Sequence, residues 1–127
     1  HLSVMASTAF NQRSYPAMDE VDKVSCRPDY CLLVYPAYLS GDNFGLAPEI
    51  KVTKDVPPTL IIQAEDDKSF IDSSLFYYYA LKQAEVPAWM HLYSVGGHGY
   101  GLRDTGGMVN EWPNRAEDWF QEIGVFD

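Results

Sequence analysis

The sequence predicts an α/β fold with mainly parallel sheet strands and flanking helices, and three observations carry that expectation. Two continuous apolar runs, Tyr30 to Tyr35 and Thr59 to Ala64, read as strands covered on both faces, the pattern of parallel sheets. Trp112, Ala116, Trp119, Phe120 and Ile123 fall at i, i+4, i+7, i+8 and i+11, a helical stripe. The elements come in the order helix, strand, strand, helix, strand, helix, and such alternation argues for an open α/β sheet.

Residues 2–10 are rich in small side chains (Ser3, Ala6, Ser7, Thr8, Ala9), which suits a helix packed closely on a sheet. Residues 11–29 are polar, carry Pro16 and Pro28, and form a connecting excursion. The first strand, Tyr30 to Tyr35, is ended by Pro36, and Ala37 to Val56 reads as loop, with Gly41, Gly45 and Pro48. Pro57-Pro58 delivers the second strand, Thr59 to Ala64, which ends in the acidic cluster Glu65-Asp66-Asp67. A helix over Ser73 to Glu85 comes next, with Asp72 as its N-cap and with Ser74, Tyr77, Tyr78, Leu81 and Ala84 on one face. Val86-Pro87 stops it, and the third strand, Ala88 to Val95, again reads as buried. After a glycine-rich loop (Gly96 to Leu102) and a turn at Thr105-Gly106-Gly107, the last helix runs from Pro113 to Ile123. Pro113 suits its first turn and Gly124 its C′ position.

The chain has 127 residues, 46% hydrophobic and 14% aromatic, enough for one domain with a real core. Its net charge of −9 repels phosphate backbones and anionic lipid, which argues against nucleic acid and membrane surfaces as partners. No apolar run reaches transmembrane length, and the N-terminus does not read as a signal peptide. The sequence starts at His1, without Met and already in a helical pattern, so it reads as a fragment. Any targeting signal would lie outside it, and the compartment is undetermined. Cys26 and Cys31 fit neither a two-cysteine redox motif nor a zinc site; they read as buried or half-buried thiols flanking a strand start.

Chemistry is expected at Gly96-Gly97-His98-Gly99-Tyr100-Gly101-Leu102, where one histidine sits among four glycines. Histidine titrates near neutrality and is the usual proton shuttle. In an open parallel sheet, functional groups gather beyond the carboxyl ends of the strands. Asp66 and Asp67 come just after the second strand, and His98 just after the third. Neighbouring strands would bring these tips together as the acid and histidine of a Ser…Asp…His triad. An acidic trio is otherwise a solvated turn, and a lone histidine is otherwise structural.

Other chemistries fit less well. Gly97, Gly99 and Gly101 do not have dinucleotide-loop spacing, and no second histidine has metal-ligand spacing to the acidic cluster. His91 reads as structural, as do the tyrosines at 77–79 and Trp89. Tyr100, beside His98, is a candidate for lining a substrate pocket, with packing as the alternative.

The segments Tyr35-Pro36-Ala37-Tyr38-Leu39, Pro58 to Asp67 and Gly96 to Leu102 resemble the α/β-hydrolase esterases, in the acetylxylan-esterase-like and dienelactone-hydrolase-like branch. The resemblance covers nearly the whole chain and implies the C-terminal part of an α/β-hydrolase fold, residues 1–127 being a single partial domain. It places the catalytic acid at Asp67, with Asp66 as the near alternative, and the catalytic histidine at His98. His1-Leu2 resembles the residues immediately after the family's nucleophile elbow, Gly-x-Ser-Ala-Gly-Gly, which puts the serine just upstream of His1. The chain itself contains no Gly-x-Ser-x-Gly. Ser3 and Ser7 lie inside a helical pattern, and Ser69 and Ser94 have no elbow.

The resemblance implies a serine carboxylesterase acting on small acyl esters, acetylated carbohydrate among them, with no metal or organic cofactor. The alternative is a catalytically silent fragment or interaction module. The fragment reading further predicts a first strand without its neighbour, an open edge that favours oligomerisation, poor solubility or pairing with a complementing N-terminal segment.

Overall fold

A computed structural model of the chain describes residues 1–126. Its centre is a three-stranded parallel sheet of β1 (Cys31–Val34), β4 (Thr59–Ala64) and β5 (Ala88–Tyr93), in the order β1-β4-β5. The register sets Cys31 opposite Thr59 and Thr59 opposite Ala88, so the three strands end side by side. Helices α1 (Leu2–Thr8) and α2 (Ile71–Gln83) pack on one face and α3 (Trp112–Glu122) on the other.

The two faces follow from the two-residue period of a strand. Cys31, Leu33 and Ile61 point into a core with Val4, Leu39, Tyr77, Leu81 and Val86. Leu60, Ile62 and Ala64 point the other way, onto Tyr93, Val109, Ala116 and Trp119. All six residues of β4 are buried, which is why this strand has no polar alternation: it is central and covered on both sides. Each fully buried large side chain here contributes about 1.5–3 kcal/mol relative to exposure.

The predicted α/β order therefore stands, with corrections in its parts. β5 is an edge strand, only half-buried along most of its length, with Leu92 45% exposed. It stops at Tyr93, so Ser94 and Val95 belong to the loop. The stretch read as loop holds a small antiparallel hairpin, β2 (Ser40–Gly41) with β3 (Gly45–Leu46), packed against α2.

Helix α2 begins at Ile71, not Ser73, and its N-cap is Phe70 rather than Asp72. The cause is local: the Asp67 carbonyl accepts the amides of both Phe70 (3.1 Å) and Ile71 (2.9 Å), so the chain turns helical as soon as it leaves β4. The expected end of α3 is present. Gly124 has φ +74°, its amide bonds to the Gln121 carbonyl and that of Val125 to the Phe120 carbonyl, a Schellman cap.

Of the two cysteines, Cys31 is buried as the first residue of β1, whereas Cys26 is exposed and donates to the Phe10 carbonyl. Among the described residues, β1 is paired on one side only, by β4.

Candidate active site

The parallel register delivers three segments to one edge of the sheet: Tyr35–Leu39 after β1, Glu65–Phe70 after β4 and Ser94–Leu102 after β5. There Asp67 and His98 meet. Asp67 Oδ2 lies 2.8 Å from His98 Nδ1, across 31 residues of sequence. Asp67 is 4% exposed, and the side-chain amide of the fully buried Gln63 donates to the same oxygen at 3.1 Å. A carboxylate can only accept, so Nδ1 is the donor to Asp67, and in the neutral tautomer this selects, Nε2 holds the lone pair. The His98 side chain is 38% exposed.

Adjacent carboxylates have different partners. Asp66 does not face the ring; its Oδ1 accepts the backbone amides of Gly96 (2.9 Å) and Gly97 (2.7 Å). Farther along the loop, Arg103 donates to the Gly99 carbonyl, and Trp112 Nε1 donates to that of Gly101 at 2.7 Å. Gly96 leaves no room for a side chain, because an added Cβ would lie 3.0 Å from Val109 Cγ2 and 3.1 Å from Ala64 Cβ.

The imidazole is flanked by two rings, Tyr35 with centroids 5.0 Å apart and Phe70 at 4.7 Å, and Tyr38 continues the row 5.0 Å from Phe70. Tyr35 and Tyr38 both hold left-handed backbone, φ 42° and 61°, which costs a non-glycine residue about 1–2 kcal/mol. Tertiary bonds brace this turn: Tyr35 N–H reaches the Ile62 carbonyl at 2.8 Å, and Leu39 N–H reaches Ser73 Oγ at 3.0 Å. A cleft of about 350 Å³ runs along the unpaired side of β1, lined by Leu32, Val34, Tyr35, Tyr38 and His98, with His1 and Ser3 opposite.

Tyr100 requires a correction. It is 2% exposed and packs edge-on against Tyr35, inside the core on the α3 side. Burial pushes its phenol well above the ordinary range, and its hydroxyl has no partner among the described residues. It supports the site from behind instead of lining the cleft; Tyr35 and Phe70 hold the positions beside His98. Neither was singled out from the sequence: Tyr35 directly follows β1 and Phe70 caps α2, places where an aromatic is so often core. Gln63 was also missed, although it carried a signal as the one polar side chain between Leu60 and Ala64.

His91 lies in β5 beside Tyr93, and burial lowers its pKa, as suits a structural histidine. No group of three His, Cys, Asp or Glu that could hold a metal occurs among the described residues. None of the described helices is long and apolar enough to cross a membrane.

No protein-family model and no curated protein sequence matches the chain. Solved structures do. An acetyl ester-xyloside bifunctional hydrolase from Caldicellulosiruptor lactoaceticus superposes with a TM-score of 0.82 at 30% identity, over 98% of this chain and 53% of that one. MGS-M1, an α/β hydrolase from a Medee basin deep-sea metagenome, gives 0.67 at 22% identity, over 95% and 50%. The carboxylesterase Cest-2923 from Lactobacillus plantarum gives 0.67 at 20%, over 99% and 55%.

The fold is thus that of an α/β-hydrolase, present in part: the chain spans about half the length of the structures it matches. Within that class its likeness is to the esterases, an acetyl ester hydrolase among them.

Proposed function

We propose that this chain carries the acid and the base of a serine carboxylesterase acting on small acyl esters, with acetylated carbohydrate as a candidate substrate. The observation that carries the reading is the 2.8 Å contact between buried Asp67 and His98 at neighbouring strand ends. The likeness to esterases and to an acetyl ester hydrolase supports it.

In this reading residues 1–127 form one partial domain, and the serine lies upstream of His1. That serine attacks the ester carbonyl while His98 Nε2 takes its proton. The imidazolium, stabilised by Asp67, returns the proton to the departing alcohol, leaving an acyl-serine. Water then attacks the acyl-serine, His98 again acting as base, and the acid and free serine are released. The unpaired side of β1 and the cleft beside it are where upstream strands, or a second copy of this chain, would dock.

The test is p-nitrophenyl acetate turnover by the protein encoded with its upstream residues, against His98→Ala and Asp67→Asn. Turnover with a burst of p-nitrophenol, lost in His98→Ala, is the expected result. A full-length protein without turnover leaves the second reading, an interaction module. Ser3 lines the cleft with His98 but sits in regular α-helix. If residues 1–127 alone turned over the ester and Ser3→Ala abolished it, the nucleophile would lie inside this chain. Sedimentation of the chain alone checks the docking expectation, with self-association expected and a stable monomer counting against it.

A further inference from the structure

We infer that Asp66 is a positioning residue for His98: it sets the backbone of the histidine loop, while Asp67 sets the ring. The inference rests on the reading of His98 as the base, and its geometry is independent of Asp67. One oxygen, Asp66 Oδ1, takes two consecutive amides, Gly96 at 2.9 Å and Gly97 at 2.7 Å, two and one residues before His98. Consecutive amides converging on one oxygen form a concavity suited to negative charge. An added Cβ at Gly96 would strike Val109 and Ala64, whereas one at Gly97 would meet no atom within 4 Å. Gly97 also has φ +61°. Gly97 has room on its Cβ side, and its amide is held by Asp66.

The clamp has a purpose that a glycine loop makes necessary. Glycine loses more conformational freedom on ordering than any other residue, and four glycines surround His98. Left to itself, this loop would carry the imidazole through many positions, and a shift of about 1 Å would break the hydrogen bond to Asp67. Asp66 and Asp67 leave the same strand end, so the loop and the ring are held from one rigid origin, β4. The two carboxylates divide the work, Asp67 accepting from the ring and Asp66 from the loop backbone.

The experiment compares Asp66→Ala, Asp66→Asn and wild type by NMR on the chain itself. In wild type, the His98 Nδ1 proton should give a sharp hydrogen-bonded resonance, with couplings from the Gly96 and Gly97 nitrogens to the Asp66 carboxyl carbon. In Asp66→Ala, exchange of the Gly96 and Gly97 amides should rise roughly tenfold and the Nδ1 resonance should broaden or vanish, with β4 amides unchanged. Asp66→Asn keeps an oxygen in place and should restore both signals.

An unchanged Nδ1 resonance in Asp66→Ala overturns the proposal, as does absence of the couplings in wild type, which requires no variant to fold. On an active full-length protein, Asp66→Ala should lower kcat roughly tenfold to a hundredfold with KM unchanged. If that protein proves inactive, the esterase reading fails, and the NMR result still decides the role of Asp66.

Discussion

In two loops of this molecule one aspartate collects several donors, and the two differ in where those donors come from. In the excursion 11–29, Asp22 takes the amides of Met18 (2.7 Å) and Asp19 (3.4 Å), the Tyr15 hydroxyl (2.8 Å) and the Arg13 guanidinium. All four donors lie within nine residues of it. In the loop 96–102, Asp66 reaches 30 and 31 residues along the chain. The donors that Asp22 gathers are local and exposed, so its cluster does not depend on which strands are neighbours. The second exists only because β4 and β5 are parallel neighbours, and it passes the sheet's geometry to an imidazole. A carboxylate bonded across strands can build a site; one bonded within its loop builds only the loop.

The comparison breaks most decisively if carboxylate-to-amide changes in the two regions behave alike. Asp67→Asn, assayed on an active full-length protein with p-nitrophenyl acetate, should lower kcat by about ten-thousandfold, because the amide favours the wrong imidazole tautomer. Asp22→Asn should leave kcat unchanged. A smaller effect separates two adjacent glycines. Gly96→Ala forces a methyl against Val109 and Ala64 and should cost about 1–3 kcal/mol in denaturant melts. Gly97→Ala meets open space, so its cost is the left-handed backbone alone, about 1 kcal/mol. Equal losses at the two positions would mean that loop strain, and not packing on β4, sets the entry to the histidine loop.

The same contrast explains what was legible in the sequence. β4 was legible because a central strand buried on both faces must be continuously apolar, and α3 because its stripe has the helical period. The facing of His98 by an aspartate was legible because strand order alone brings the two tips together. Which aspartate faces it rests on where two neighbouring side chains point at a turn, a matter of backbone angles that residue type does not encode. The half-burial of β5 depends on its place at the sheet edge, and two-residue strands such as β2 and β3 are too short to show a period. Tyr100 was ambiguous on its face, since a tyrosine beside an active histidine can wet a pocket or support it. Here the Tyr35 ring lies against it and its hydroxyl is buried.

The smallest predicted effect lies in the excursion itself. The Met18 amide, then the Tyr15 hydroxyl, holds the Asp22 carboxyl down to about 2, below the ordinary aspartate value of about 3.9. A depressed folded-state pKa means that ionised Asp22 favours the closed loop. That contribution is fully present above about pH 3.9 and is lost as the pH falls through about 2. The Met18 amide and Tyr15 ring resonances should therefore move together near pH 2. Asp22→Asn should abolish this transition. Among the described residues Asp22 shares no hydrogen-bond partner with the sheet's carboxyl edge, so the His98 ring resonances should not follow the Met18 amide near pH 2; a matching movement that Asp22→Asn removes would show that the two loops are coupled.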